Sequence, residues 1–159
     1  MICIFWGQIW RLTLFKMKGP NVFKAKDIMV SAVISVKPST EAYEAIRLLV
    51  ENNITGLPVV NDDMSLAGIV SEKDVLKLLY YNGEATGEVA TTVEKYMTKE
   101  VVSFDENENL IEICDSFIKN HFRRVPILSD GKLVGIISRR DIIKYILHLR
   151  HKDKVMVVS

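Results

Sequence analysis

Cysteine is scarce: the 159 residues contain Cys3 and Cys114 and no others. Two cysteines cannot build a disulfide framework, and no CxxC spacing exists for a zinc ribbon or a thioredoxin-like redox pair. Cys114 falls where a helical pattern wants an apolar residue, so it reads as a buried free thiol. A reducing, cytoplasmic setting fits this usage. An excess of one charge is also missing. Lys and Arg total 21 against 20 Asp and Glu, a formal net charge of +1, which gives no electrostatic footprint for broad nucleic-acid binding. No apolar run reaches the roughly 20 residues of a spanning helix. The closest is Met1 to Phe15, MICIFWGQIWRLTLF, which carries one charge, Arg11, and both tryptophans. It lacks the basic start and small-residue cleavage site of a signal peptide. Residues 1–16 read either as an extension ahead of a start at Met17 or as an interfacial anchor, which would ordinarily carry more Lys and Arg. With 48% hydrophobic and 26% charged residues, the chain is globular in composition.

The chain does contain an internal repeat. Shifted by 68 residues, Met29 falls on Met97, Val33 on Val101, Ser35 on Ser103 and Pro58 on Pro126. After a one-residue deletion the shift becomes 67, and Leu66, Gly68, Ile69, Ser71, Asp74 and Lys77 fall on Leu133, Gly135, Ile136, Ser138, Asp141 and Lys144.

Both copies carry the same local signals. Val33–Val36 and Val101–Phe104 predict a first strand. Ala42, Ala45, Ile46 and Leu49, and Leu110, Ile113, Cys114 and Phe117, recur at i, i+3, i+4 and i+7 and predict a helix. Leu57–Val60 and Val125–Leu128 follow, each with an early proline that a strand tolerates there. Asn61-Asp62-Asp63 and Ser129-Asp130-Gly131 are turn chemistry. Leu66–Val70 and Leu133–Ile137 then run into helices opening at Ser71 and Ser138. The expected class is α/β (α+β), two β-α-β-β-α repeats packed about a pseudo-two-fold axis. The organisation is an extension over 1–23, repeat 1 over 24–80, a linker over 81–91, repeat 2 over 92–147 and a tail over 148–159. A copy of about 60 residues is marginal alone, so the two should form one folding unit.

The sharpest element is Gly68-Ile69-Val70-Ser71-Glu72-Lys73-Asp74, matched by Gly135-Ile136-Ile137-Ser138-Arg139-Arg140-Asp141. Ser followed three residues later by an acid at a helix start is capping-box chemistry. The same arrangement also suits a ligand, because a helix N-terminus favours phosphate and a carboxylate can accept hydrogen bonds from ribose hydroxyls.

The duplicated pattern, with Leu57-Pro58-Val59-Val60, Val125-Pro126-Ile127-Leu128 and two G-h-h-S-x-x-D elements (h, hydrophobic), resembles a pair of cystathionine-β-synthase (CBS) domains, the Bateman module. The resemblance runs from about Lys24 to Leu147. It implies a regulatory module binding an adenosyl ligand (AMP, ADP, ATP or S-adenosylmethionine) in two clefts between the copies, without catalysis and with no required cofactor. Asp74 and Asp141 are then expected to hold ribose, with Ser71 and Ser138 near ribose or phosphate. Val33, Ile34, Ile54 and Thr55 are expected to wall the Asp141 cleft, and Val101, Val102 and Phe122 the Asp74 cleft. Family members often place His-Arg before the Pro-bearing strand to meet phosphate. Here Arg123-Arg124 stands in the second copy, and Thr55-Gly56 in the first. Arg139 and Arg140 sit in a helix first turn, where the dipole disfavours cations and a nearby anion would relieve the conflict. The expected partners are the adenosyl ligand, a second copy in a homodimer, and a regulated protein.

Two other classes stay open: a ligand-free interaction module whose Ser and Asp are only caps, and a nucleic-acid binder using Arg123, Arg124, Arg139 and Arg140. His148 and His151 lack a third ligand at useful spacing, so no metal site is expected, and Asp62-Asp63 lie in a turn. No GxGxxG, Walker A, HExxH or nucleophile pattern occurs, and no catalytic residue is assigned.

Overall fold

The computed structural model describes residues 23–82 and 92–155. Residues 1–22, with the candidate anchor, residues 83–91 of the expected linker, and residues 156–159 lie outside the described residues. The elements are α1 (Ala42–Glu51), β1 (Gly56–Val60), β2 (Leu66–Ser71), α2 (Glu72–Asn82), β3 (Phe104–Asp105), α3 (Leu110–Lys119), β4 (Arg124–Ser129), β5 (Lys132–Ser138) and α4 (Arg139–Val155). Short 3-10 turns at Ala25–Asp27 and Val93–Lys95 precede each copy. Helix α2 continues through Asn82, and α4 runs as helix to Val155.

In each copy an antiparallel hairpin carries the proline strand against the glycine strand: Leu57 faces Val70 in β1–β2, and Val125 faces Ile137 in β4–β5. The second hairpin turns at Asp130–Gly131, both in the left-handed region (φ 51° and 77°), the conformation that a two-residue turn asks of Asp-Gly. The first has the longer Asn61–Ser65 turn, with Met64 at φ 69°. The hairpins meet where Ser65 bridges Lys132 and Leu133 N–H donates to Met64 O.

The expected first strands are shorter than the apolar runs that suggested them. In the second copy β3 pairs in parallel with Ile127 and Leu128 over two residues, and Glu106 N–H adds a bond to Leu128 O. In the first copy Val36 makes a single parallel bridge to Val59. The residue matching Glu106 is Pro38, which has no N–H to give, and Lys37 N–H turns to Thr40 Oγ1 instead. Val33–Ser35 and Val101–Ser103 lie outside any ladder.

The copies exchange their leading segments. Ala25 N–H donates to Glu108 O, Leu110 N–H to Phe23 O, and buried Ala25 belongs to the core of Leu110, Ile113, Phe117, Val125, Ile127, Ile137 and Ile142. Reciprocally, Val93 N–H donates to Thr40 O, and buried Val93 joins Val36, Ala45, Leu49, Leu57, Val59 and Val70. Each core thus takes in a residue from the other copy's leading segment, which ties the two copies together.

Candidate functional site

The exchange positions the two G-h-h-S-x-x-D elements. Ile69 and Thr98 trade backbone hydrogen bonds at 2.9 Å each, and Ile136 and Val30 do the same at 3.1 and 3.0 Å. Each crossing segment lays a methionine over the motif glycine. A Cβ on Gly68 would lie 2.9 Å from Met97 Sδ and 2.8 Å from Thr98 O, and one on Gly135 would collide with Met29 Sδ. These glycines exist to admit a close crossing chain, not for a positive φ.

Ser71 and Ser138 end their strands and cap the helices that start one residue later. Ser138 N–H and Oγ donate to Asp141 Oδ2 at 2.9 and 2.5 Å, and Asp141 N–H returns to Ser138 Oγ at 3.3 Å. Ser71 N–H and Oγ donate to Asp74 Oδ2 at 2.9 and 2.6 Å. The reciprocal cap is thus complete in the second copy, whereas the first has only its carboxylate half, Asp74 accepting from Ser71. In both copies the serine occupies Oδ2 of the acid.

The sequence places Arg123-Arg124 in the second copy only, and the structure separates the two residues. Arg123 is exposed, while its carbonyl accepts Arg139 N–H at 3.1 Å. Arg124 is half-buried and crosses to the first copy, donating to Thr55 Oγ1 at 2.7 Å and Gly56 O at 3.1 Å. Burial pulls its guanidinium below the ordinary value, and the charges of Asp141 and Glu72 act against that. Arg124 Nε is buried without a hydrogen-bond partner among the described residues. Gly56, the repeat equivalent of Arg124, makes room for the crossing: its Cβ would sit 3.6 Å from Arg124 Cδ. Arg139, expected to await an anion, instead donates to Phe117 O and Asn120 O at 3.0 and 2.8 Å and lies over the Phe117 ring. The end of α3 satisfies it. Arg140 is exposed.

The proposed walls are apolar and partly open. Val33 and Val101 are half-buried, while Ile34 and Val102 are exposed. Ile54 packs on the first core, and Phe122 on the second, edge-on to Phe117 at 5.7 Å. Sequence reasoning read only part of a charge contrast between the copies, Arg123-Arg124 against Thr55-Gly56. Around the α3–β4 turn and the start of α4 stand Lys119, His121, Arg123, Arg124, Arg139 and Arg140, where the first copy has Glu51, Asn53, Thr55, Gly56, Glu72 and Lys73. Aligning the repeats for differences as well as matches would have exposed the rest. His148 is exposed, and among the described residues no three His, Cys, Asp or Glu could hold a metal ion. None of the described helices is long and apolar enough to cross a membrane.

The CBS domain family profile matches residues 25–81 and 93–148, and the chain belongs to that family. It is 34% identical over 157 residues to CBSX1, a chloroplastic CBS domain-containing protein of Arabidopsis thaliana, covering 83% of this chain and 64% of that one. It is 33% identical to protein MJ1225 of Methanocaldococcus jannaschii over 119 residues, 75% of this chain and 41% of the other. The chain thus spans less than two thirds of either relative. Among solved structures it resembles Arabidopsis CBSX2 in complex with AMP (TM-score 0.70, 32% identity, 80% of this chain and 98% of that one). It also resembles the CBS domain pair of protein MJ0100 in complex with 5-methylthioadenosine and S-adenosylmethionine (TM-score 0.68, 28% identity, 79% and 96%).

Proposed function

We propose that this chain is a regulatory module that binds an adenosyl ligand between its two repeats and reports occupancy to a partner protein, without turnover. The observation that carries the reading is the Asp141 carboxylate. Ser138 fixes its Oδ2, and among the described residues Oδ1 has no hydrogen-bond partner, at a half-buried position within the field of Arg124. An oriented carboxylate with a vacant oxygen suits two vicinal hydroxyls of a ribose. Exposed apolar Ile34 and Val102 are the kind of surface an adenine covers. Arg123 and Arg140, exposed and in no ion pair among the described residues, favour an anionic ligand such as AMP, ADP or ATP over S-adenosylmethionine, whose sulfonium is cationic. The AMP-bound CBSX2 and the S-adenosylmethionine-bound MJ0100 pair support the adenosyl class. The free thiol of Cys114 is compatible with a cytoplasmic setting.

The homodimer belongs to the same proposal. Exposed apolar residues recur at repeat-equivalent places, Val50 with Ile118 and Leu76 with Ile143, so the apolar surface carries the pseudo-two-fold itself. A self-complementary contact suits such a surface. Sedimentation should give a dimer that Ile118→Glu dissociates; a monomeric original chain removes this part.

The reciprocal Ser138–Asp141 cap also supports the second reading, a ligand-free interaction module. Thermal-shift measurements with AMP, ADP, ATP, S-adenosylmethionine and adenosine separate the two. The sensor reading expects a concentration-dependent rise in Tm with at least one of them. No rise with any leaves the interaction module. Steep salt-dependent binding of RNA or DNA would favour a nucleic-acid role instead.

A further inference from the structure

The two motif acids have the same sequence setting but different surroundings. Asp74 is only 2% exposed, and both of its oxygens are engaged. Ser71 holds Oδ2, while Lys77 Nζ at 3.3 Å and Thr98 Oγ1 at 3.5 Å reach Oδ1. Asp141 is half-buried, and among the described residues its Oδ1 has no hydrogen-bond partner, although Lys144 stands where Lys77 does. The repeat explains the contrast. Thr98 and Val30 occupy equivalent places, each trading two backbone hydrogen bonds with the residue five before its motif acid, Ile69 or Ile136. Thr98 brings a hydroxyl to Asp74. Val30, paired with Ile136 at the equivalent position, carries only methyl groups and is 44% exposed. Charge follows the same division: Arg124 acts on Asp141, where the repeat equivalent of Arg124 in the first copy is Gly56.

We propose that the two half-sites are not equivalent: the chain takes one adenosyl ligand, on Asp141, and Asp74 is a structural acid that ties α2 to the crossing segment through Thr98. A ligand at Asp74 would have to displace Thr98 and Lys77 and open a buried carboxylate, whereas one at Asp141 meets an oxygen that no described residue engages. Residue 30 is thereby a specificity-determining position, open because it is valine. The inference rests on the adenosyl-binding reading and refines where and how many.

Calorimetric titration of AMP into the full chain and two near-isosteric variants tests it. The expected stoichiometry is one AMP per chain. Val30→Thr, which supplies Asp141 with the hydroxyl that Asp74 already has, should weaken AMP by about tenfold, the scale of one hydrogen bond to a charged group. Thr98→Val should leave the affinity of that single event within about twofold, because it lies at the other acid. Two AMP per chain, or a Val30→Thr chain that binds as well as the original, would overturn the proposal while leaving adenosyl binding intact. Absence of any AMP heat, with no Tm response to the other adenosyl compounds, removes the underlying reading instead. Circular dichroism of both variants shows whether the fold is retained.

Discussion

Arg124 donates to Thr55 Oγ1 at 2.7 Å, a hydrogen bond from the start of the second copy's proline strand to the residue before the first copy's. It joins the repeats through the position where they differ most, an arginine against a glycine. The bond consumes part of a guanidinium that the sequence would assign wholly to phosphate. Donors on NH1 and NH2 remain, since each nitrogen carries two hydrogens.

Arg124→Ala should therefore cost stability as well as anion affinity. Loss of two hydrogen bonds from a charged, half-buried donor predicts about 1.5–3 kcal/mol in urea unfolding. Paired with Thr55→Val in a double-mutant cycle, a coupling above about 0.5 kcal/mol is expected. Arg124→Lys keeps charge without the fork and should recover only part. If the remaining donors meet phosphate, AMP binds better than adenosine in the original chain, added salt narrows that gap, and Arg124→Ala narrows it further. Equal affinities for AMP and adenosine in the original chain remove the arginine from the ligand site.

The motif glycines predict a rescue experiment. Gly135→Ala drives a methyl group into the flexible Met29 side chain, and Met29→Ala should restore much of the loss. Gly68→Ala also meets the backbone carbonyl of Thr98, which cannot step aside, so Met97→Ala should not rescue it. Each overpacked single variant is expected to lose about 1–3 kcal/mol. Equal rescue at both sites would contradict this account of the crossings.

Much of this was legible beforehand, and what was missed has physical causes. The repeat, the proline strands, the glycine strands and the Ser–Asp caps follow from local pattern, and the buried faces of α1 and α3 follow from apolar spacing. Periodicity marks a buried face but not whose core it enters, so the exchange of Ala25 and Val93 between copies was invisible. The single bridge at Val36 was readable in principle, because Pro38 removes the next donor. Burial distinguishes Asp74 from Asp141, and the deciding difference, Thr98 against Val30, lies outside the motif that drew attention.

Cys114 gives a pH prediction. Burial pushes its thiol above the ordinary value, with Asp115 adding to the effect. The folded chain thus holds the proton more tightly than the unfolded chain. This contribution is fully present below the unfolded thiol pKa of about 8.5 and is lost as pH rises through the folded value. Urea unfolding between pH 7 and 10 should show stability falling in the original chain and falling less in Cys114→Ala. Identical pH slopes would show that the thiol has no part in it. Tyr145, also raised by burial and by Asp27, should keep a second decline near and above its ordinary pKa of about 10.

The claim that matters most is that Asp141 holds a ribose. Titrating AMP by calorimetry into the original chain and into Asp141→Ala tests it directly. The expected result is a binding isotherm in the original chain and a loss of about 1.5–3 kcal/mol in the variant, roughly ten- to a hundredfold in affinity. The variant should still fold, because a helix cap is worth only about 1 kcal/mol. A folded Asp141→Ala chain that binds AMP as tightly as the original would contradict the account and leave Asp141 a cap and nothing more.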